Sequence, residues 1–212
     1  MFKSMTFDNK FVRVPLLVNL RSRILWYLSN RDVQAMLRTE SIPNTTSEVV
    51  MTINVGDAVP DIEVRVLDEG GMPTSVQTGD VLGTGKVVLF AVPGAFTTGC
   101  TMVHLPTFVD GAADLAGEGV DTIACIAVND AWVMGAWGEA HGSDDITMLA
   151  DGNGEFASAM GLVMDGSGFG LGSRSKRYAA VIEDGTITHL AVDEGSIEVS
   201  TCSAVLDAIV EA

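Results

Sequence analysis

Cysteine is scarce in this sequence of 212 residues, which contains only three, all far apart. So few cysteines give no support to a secreted disulfide scaffold. No CxxC pair occurs, so neither a dithiol redox motif nor a zinc ribbon is indicated. A reducing compartment is therefore expected, and the cytoplasm is the expected location.

Basic residues are scarce beyond the first 48 positions. Residues 1–48 hold seven of the twelve Lys and Arg, which leaves five bases against 24 acids in the rest of the chain. The formal net charge is −16. A body this acidic repels phosphate backbones, so no nucleic-acid partner is expected.

Long uninterrupted apolar runs are missing as well. The best candidate, residues 11–28, is broken by Arg13, Arg21 and Arg23, so neither a membrane span nor a secretory signal is predicted. Two interpretations of this region stay open. The basic, amphipathic residues 21–26 suit a mitochondrial presequence, which would make the location mitochondrial, whereas Met51 could equally be the natural start.

A polar linker at residues 41–47 marks a boundary in the chain. We expect a basic N-terminal extension over residues 1–50, poorly ordered or not native, followed by one folded domain over residues 51–212. Apolar residues make up 47% of the chain, which is enough for a substantial core.

Strand and helix patterns alternate after residue 51. The predicted strands are residues 62–67, 86–92, 121–128, 147–149, 177–183 and 186–192, and the predicted helices are residues 98–116, 130–141, 153–160 and 200–210. Pro106 is expected to kink the first helix, Asp130 to cap the second, and Asp184-Gly185 to form a hairpin turn. This order predicts an α/β fold with a mixed sheet covered by helices on both faces.

Cys100 has the setting of a reactive thiol. It follows a buried strand and a short loop, and it falls in the first turn of a helix. Free N–H groups and the helix dipole at that position favour a thiolate. A single cysteine is more often a small buried hydrophobe, but the loop-to-helix setting favours the reactive alternative. Thr97, three residues earlier, could cap the helix or bind a ligand near the sulfur.

Residues 92–109, VPGAFTTGCTMVHLPTFV, resemble the active-site segment of the peroxiredoxins, whose pattern is PxxxTxxC. The PGAFT beginning and the HLPxF that follows are similar to the type-II, peroxiredoxin-5-like subfamily. The resemblance covers residues 53–212 and continues in order through VND at 128–130, WG at 137–138, LAD at 149–151, RSKRYA at 174–179 and DG at 184–185. Thr98 and Thr101 stand where the subfamily usually has Pro and Ser, so we expect altered loop stiffness without loss of function.

The resemblance implies a thioredoxin-like fold in which Cys100 is the peroxidatic cysteine and Pro93, Thr97 and Arg177 complete the site. It also implies a homodimer that meets at the active-site edge, with Trp132, Trp137 and Phe96 as candidate contacts or, equally, core residues. No metal, haem or flavin is expected.

The chemistry itself explains why such residues are needed. A thiolate attacks one peroxide oxygen and expels the other, so the protein must orient the peroxide and stabilise the charge that develops on oxygen. Arg177 offers a fixed charge and forked donors, and the Thr97 hydroxyl can accept from the peroxide. Arg174 is expected to support Arg177 by hydrogen bonding.

The sulfenic acid that forms needs a second thiol for its reduction. Cys125 lies in an apolar strand and is interpreted as a core residue, whereas Cys202, at the start of the last helix, is equally suited to be a resolving cysteine or a bystander. His104, four residues after Cys100, can share its helix face and is interpreted as a packing or supporting residue. A metal site formed by Cys100, His104 and another thiol is the weaker alternative.

We therefore predict a thiol-dependent peroxidase that reduces hydrogen peroxide and alkyl hydroperoxides and serves antioxidant defence and redox homeostasis. Glutaredoxin with glutathione, or thioredoxin, is the expected reductant. The alternatives are a non-enzymatic redox sensor or chaperone module that uses the same cysteine, and a Cys/His metal-binding protein.

Overall fold

The computed structural model describes residues 52–212. Interpretations of residues 1–50 lie outside this part of the chain. In chain order the elements are β1 (Glu63–Leu67), β2 (Pro73–Gln77), α1 (Thr78–Leu82), β3 (Lys86–Ala91), a π-helical turn (Cys100–His104), α2 (Leu105–Gly117), β4 (Thr122–Ala127), α3 (Ala131–Ala140), β5 (Ile146–Ala150), α4 (Glu155–Ala159), β6 (Val163–Asp165), a 3-10 turn (Ser167–Phe169), β7 (Ser173–Ser175), β8 (Tyr178–Glu183), β9 (Thr186–Val192) and α5 (Cys202–Glu211).

The main sheet has seven strands in the order β2-β1-β5-β4-β3-β8-β9. The three central strands β3, β4 and β5 run parallel, and the flanking pairs are antiparallel. The mixed α/β sheet predicted from the sequence is therefore confirmed. The pattern did not predict β2, α1 or the separate two-stranded sheet of β6 and β7, because these elements are three to five residues long and carry few buried side chains.

Alternate residues of the central strands enter two separate cores. On one face, Val88 and Phe90 of β3 pack with residues of α2, α3 and α5. On the other face, Val87 and Leu89 pack with Leu82 of α1 and residues of α4. All four of these β3 side chains are completely buried. A central strand with helices on both sides must be apolar at every position, which is why residues 86–92 form a continuous apolar run instead of an alternating one.

The hairpin between β8 and β9 turns at Asp184 and Gly185, as the sequence predicts. Both residues are left-handed, with φ of 46° and 79°. This is the geometry of a two-residue turn that matches the twist of antiparallel strands, and Asp and Gly adopt it most readily.

The second predicted helix begins as expected at Asp130, whose carboxylate accepts a hydrogen bond of 2.9 Å from the Val133 N–H. Trp137, offered from the sequence as either a dimer contact or a core residue, is completely buried. Its indole N–H donates to the Thr101 hydroxyl at 3.1 Å. The dimer-contact interpretation of Trp137 is therefore wrong, because its ring fills the core between α3 and the π-helical turn.

Pro106 alters the helix that follows Cys100 in a more specific way than a kink. The preceding turn is π-helical, and the Leu105 N–H bonds the Cys100 carbonyl five residues back. Proline has no N–H to give to the carbonyl four residues before it. A single wide turn is a known way for a helix to absorb such a missing bond, and such turns often occur at functional sites.

Among residues 52–212, no helix is both long enough and apolar enough to cross a membrane.

α2, with 13 residues, packs on α5. Gly111 of α2 lies against Cys202 of α5, because a methyl group at that position would overlap Sγ of Cys202. Cys202 is 2% exposed, so its thiol fills the space that the glycine leaves.

We expect Gly111→Ala to lower the free energy of unfolding by about 1–3 kcal/mol, as overpacking of a core typically does. Urea unfolding measures the change. Gly117→Ala is the matched control, because nothing lies within 4 Å of its added methyl group and alanine favours the helix by up to about 1 kcal/mol. Adding Cys202→Ala should remove part of the Gly111→Ala cost, and equal stability of the two glycine variants would contradict the packing.

Candidate active site

The register of the sheet brings Cys100 and Arg177 to the same edge. Ala91, the last residue of β3, pairs with Tyr178, the first residue of β8. Arg177 therefore lies level with the start of the loop that leads from β3 to Cys100. Residues that are 77 positions apart in the chain meet because two central strands are antiparallel neighbours.

The loop between β3 and Cys100 has a strained backbone that a hydrogen bond to the neighbouring loop holds in place. Phe96 has φ of 61°, a left-handed conformation that a non-glycine residue adopts at a cost of about 1–2 kcal/mol. The Ala95 N–H donates to the Asn129 side chain, which follows β4, at 2.9 Å. Strained residues persist where their surroundings fix them, and they cluster at functional sites.

Cys100 is completely buried at the start of the π-helical turn. Its Sγ accepts a hydrogen bond of 3.2 Å from Nη2 of Arg177. A guanidinium carries a permanent charge and cannot lose its proton in a protein. This donor is therefore cationic, and such a donor stabilises a thiolate more than a thiol.

The other arm of Arg177 reaches His104. Nη1 of Arg177 donates to Nδ1 of His104 at 2.9 Å. Because Arg177 can only donate, Nδ1 must be the bare nitrogen of the ring, and the proton resides on Nε2. Burial, with a contribution from the Arg177 charge, lowers the pKa of His104 to about 4, although the Ser200 carbonyl and Asp193 act in the opposite direction. His104 is therefore neutral at neutral pH.

Two residues that the sequence did not suggest complete the network. Nε2 of His104 contacts the Ser200 carbonyl at 2.7 Å and its hydroxyl at 3.0 Å. The Ser200 hydroxyl in turn donates to Asp193. Both residues are buried. No local sequence signal marks this contact, because Ser200 lies 96 positions after His104.

Thr97 is half-buried in the loop, and its hydroxyl donates to the Gly94 carbonyl at 2.9 Å. The hydroxyl does not cap the π-helical turn, so the capping alternative is not supported. With its hydrogen committed to Gly94, the oxygen keeps lone pairs that can accept from a ligand. Pro93, also half-buried, begins the loop directly after the strand.

Arg174 corrects one expectation from the sequence. Its Nη1 donates to the Val128 carbonyl at 2.7 Å, and its Nε donates to the Leu171 carbonyl at 2.9 Å. Arg174 was expected to support Arg177 by hydrogen bonding, and this is wrong, because its guanidinium donates to Val128 and Leu171 instead. Arg174 instead joins the end of β4 to the loop before β7, and it approaches Gly94, where a methyl group would lie 3.4 Å from Nη1.

Cys125 lies in β4 between Phe90 of β3 and Met148 of β5 and is completely buried. Burial raises the pKa of its thiol well above the ordinary value, and the nearby Cys100 adds to the rise. A thiol that stays protonated is a poor nucleophile. The position of Cys125 is that of a core residue, as the sequence suggests.

Cys202 lies away from Cys100. Its N–H donates to the Thr107 hydroxyl at 3.3 Å, and its thiol packs on Gly111. Those two residues follow Cys100 by seven and eleven positions, roughly 10–17 Å at about 1.5 Å per residue, whereas a disulfide needs Cα atoms within about 7 Å. Burial, with the nearby Asp114 carboxylate, raises the pKa of Cys202 to about 11.

The described residues do not favour a metal centre at this site. Between residues 52 and 212, no three His, Cys, Asp or Glu side chains are arranged to hold an ion. Both ring nitrogens of His104 already have partners, so the ring could bind a metal only by giving up Arg177 or Ser200. The buried thiol, the guanidinium and the free lone pairs of Thr97 instead suit attack on a small polar substrate.

Comparison with known proteins agrees with this geometry. The Redoxin family model matches residues 54–206. The chain is 42% identical over 175 residues to peroxiredoxin-2E, chloroplastic, of Arabidopsis thaliana, a match that covers 81% of this chain and 74% of that one. It is 39% identical over 159 residues to peroxiredoxin-2B of the same plant, covering 74% of this chain and 98% of the relative.

Solved structures give the same result. Reduced Prx3 of Vibrio vulnificus, in complex with hydrogen peroxide, superposes with a TM-score of 0.71 at 44% identity, over 74% of this chain and 99% of that one. Peroxiredoxin 5 of Alvinella pompejana gives a TM-score of 0.67 at 37% identity, over 76% and 99% of the two chains. The thioredoxin-like fold expected from the sequence is thereby confirmed. The chain belongs to the redoxin family as a type-II peroxiredoxin, and it is a thiol-dependent peroxidase.

Proposed function

We propose that Cys100 is the peroxidatic nucleophile and that Arg177, Thr97 and Pro93 complete its site. The observation that carries this assignment is the 3.2 Å contact between Nη2 of Arg177 and Sγ of Cys100. The Cys100 thiolate attacks the nearer oxygen of R–O–O–H, the S–O bond forms as the O–O bond breaks, and the products are the sulfenic acid and RO⁻. The alkoxide or hydroxide then takes up a proton from water.

Each neighbour has one task in this step. Arg177 stabilises the thiolate and the charge that develops on the leaving oxygen. The Thr97 hydroxyl donates its hydrogen to the Gly94 carbonyl, so its oxygen is free to accept a hydrogen bond from the peroxide. This hydrogen bond sets the angle of attack. Pro93 fixes the loop and shields the site, and His104 holds the guanidinium by accepting from its second arm.

The substrates that we propose are hydrogen peroxide and alkyl hydroperoxides. The Vibrio vulnificus relative has been solved with hydrogen peroxide bound, which supports the first. Phe96, Met102 and Val103 are exposed around the buried thiol, and such apolar side chains suit the alkyl group of the second.

The same exposed side chains support a homodimer that meets at the active-site edge, as the resemblance implies. Phe96 on the loop and Met102 and Val103 on the π-helical turn form an apolar surface beside the site. Trp132, on α3, is also exposed. Apolar side chains that cluster on a surface commonly mark a protein interface.

We further propose that residues 51–212 are the catalytic unit, since the family match begins at residue 54. The basic residues 1–50 would then serve as a presequence. Relatives from Arabidopsis thaliana and Oryza sativa are named chloroplastic, which supports targeting to an organelle. A cytoplasmic location follows instead if translation starts at Met51.

Cys100→Ser should abolish peroxide consumption, because the hydroxyl of serine does not ionise near neutral pH and oxygen in its place cannot form a sulfenic acid. Cys125→Ser is the matched control and should leave the oxidation of Cys100 intact, since Cys125 is a buried thiol of raised pKa. A coupled peroxidase assay measures both variants. Turnover of Cys100→Ser at the native rate would remove the assignment.

Arg177→Gln should slow the attack on peroxide by about 10²-fold or more, as the loss of one oxyanion donor does. Arg177→Lys should also be impaired, because one ammonium group cannot reproduce the forked contact with Cys100 and His104. Stopped-flow measurement of Cys100 oxidation tests both. Lys176→Gln removes a neighbouring charge and serves as the control, and an Arg177→Gln rate equal to that of the control would contradict the role.

An external thiol is proposed to reduce the sulfenic acid, supplied by glutaredoxin with glutathione or by thioredoxin. Cys202 is buried, is protonated at neutral pH and contacts Thr107 and Gly111, about two and three helical turns beyond Cys100. A disulfide between the two would require the first helical turn to unwind, because it needs Cα atoms within about 7 Å.

Mass spectrometry of protein treated with peroxide in the absence of thiols separates the two routes. We expect overoxidised Cys100 with free Cys202, which is the outcome of a one-cysteine cycle. A disulfide joining Cys100 and Cys202 would show instead that the chain resolves its own sulfenic acid. Turnover with glutaredoxin and with thioredoxin, compared in one coupled assay, then identifies the reductant.

A further inference from the structure

The side chain of Arg177 is tied back to its own backbone through a closed ring of hydrogen bonds. The N–H of Asp193 donates to the Arg177 carbonyl at 3.0 Å. The carboxylate of the same Asp193 accepts from Ser200, Ser200 contacts His104, and His104 accepts from the Arg177 guanidinium. Both ends of the catalytic arginine are thus fixed by Asp193, which touches neither the thiol nor the space where a peroxide would bind.

The direction of every hydrogen in this ring follows from its two ends. Arg177 can only donate, so Nδ1 of His104 accepts and Nε2 carries the proton. The Asp193 carboxylate can only accept, so the Ser200 hydroxyl donates to it and offers its lone pairs to Nε2 of His104. A donor-only cation at one end and an acceptor-only anion at the other leave one consistent arrangement.

The carboxylate is itself held firmly. Oδ1 of Asp193 accepts from the N–H groups of Glu198 and Val199 at 3.1 and 3.0 Å, and Asp193 is 8% exposed. Burial alone raises the pKa of Asp193, but the hydrogen bonds from Ser200, Glu198 and Val199, together with His104, leave it below the ordinary value. Asp193 therefore stays an anion throughout the neutral range.

We propose that Asp193 and Ser200 are positioning residues for peroxide reduction, which hold His104 with its bare Nδ1 toward Arg177 and so aim the guanidinium at Cys100. The inference rests on the proposed role of Arg177 and adds two residues, Asp193 and Ser200, that support it. Neither residue contacts the reacting atoms, so both act only through His104.

Asp193→Asn is the sharpest test, because it keeps the size of the side chain and reverses one hydrogen bond. The asparagine oxygen must face the N–H groups of Glu198 and Val199, so its amide would donate to Ser200. The Ser200 hydroxyl hydrogen then has no carboxylate to point to and can turn toward His104, where it opposes Nε2–H. His104 keeps only the Ser200 carbonyl as the partner of Nε2 and holds Arg177 less firmly. We expect the rate constant of Cys100 oxidation to fall about tenfold, within the range that misplacement of a catalytic group produces.

The Nε2–H group of His104 supplies a readout that a merely structural role would not move. In protein labelled with 15N-histidine, the proton should stay on Nε2 in both proteins, because Arg177 and the Ser200 carbonyl still require it. The Nε2–H signal should nevertheless shift and exchange faster with solvent in Asp193→Asn, because the contact with the Ser200 hydroxyl is lost. The chain has only three histidines, and His104→Phe identifies the signals by removing them. The phenyl ring keeps the edge contacts with Phe90 and Phe108 while it cuts the link to Arg177.

The same variant gives a coupling test. If Asp193 acts through His104, Asp193→Asn should have no further effect on the rate constant in the His104→Phe background. Asp151→Asn is the matched control, because Asp151 is also buried and accepts from two backbone N–H groups, those of Phe156 and Ala157, but takes no part in the ring. It should leave the rate constant unchanged.

Ser200→Ala provides a second route if Asp193→Asn does not fold. It removes the hydroxyl and leaves the Ser200 carbonyl to hold Nε2, so a smaller loss of rate is expected, again absent in the His104→Phe background. A wild-type rate constant in both variants, an unchanged Nε2–H signal in Asp193→Asn, or a loss that persists without His104 would overturn the inference. If Arg177→Gln itself reacted at the native rate, the proposed role of Arg177 would fail first.

Discussion

The contact between Arg177 and Cys100 is the interaction on which the site depends, and the sheet makes it available. β3 and β8 are antiparallel neighbours whose register pairs Ala91 with Tyr178. The loop after β3 and the residue before β8 therefore lie at the same edge of the sheet. From there the Arg177 side chain is long enough to place its guanidinium beside the Cys100 thiol. Since side chains alternate between faces, a slip of one residue would turn Arg177 to the opposite core. The register of a buried strand pair thus sets the chemistry as well as the packing.

The sequence predicted the parts of this arrangement that have a local physical signature. Residues 86–92 had to be a buried strand because they are continuously apolar, Asp130 caps its helix, and Asp184-Gly185 turns as such a pair should. Short elements such as β2 and β6 lacked enough buried residues to give a pattern. Within the site, Cys100 and Thr97 followed from the loop-to-helix motif, whereas Asp193 and Ser200 could not, because only the folded chain brings them to His104. The supporting bond expected from Arg174 is not formed, because its guanidinium donates to the Val128 and Leu171 carbonyls, two contacts that only the folded chain creates.

The three cysteines differ in their neighbours, because burial alone does not distinguish them. Cys100, Cys125 and Cys202 are all hidden from solvent. Burial without a cationic donor raises the pKa of Cys125 and of Cys202, so both are held as unreactive thiols. Cys100 differs in having Arg177 at 3.2 Å. In a domain whose acids greatly outnumber its bases, this guanidinium is a scarce cationic donor, and it contacts the sulfur of Cys100.

The network behind Arg177 also links the site to the stability of the fold. Because the folded protein lowers the pKa of His104 from 6.5 to about 4, the unfolded chain binds a proton more readily than the native state at every pH between those values. Stability therefore falls as the pH drops below about 6.5, by an amount of the order of 3 kcal/mol once the pH has passed 4. The lowered pKa of Asp193 also makes the stability of the fold decrease with falling pH. The contribution of Asp193 is fully present above the ordinary pKa of an aspartate, and it is lost at still lower pH as the carboxylate is protonated in the folded protein. In the folded protein, neutral His104 and ionised Asp193 coexist at pH values above about 4. The pH range in which the ring is intact is thus the range in which Arg177 is free to donate to both His104 and Cys100.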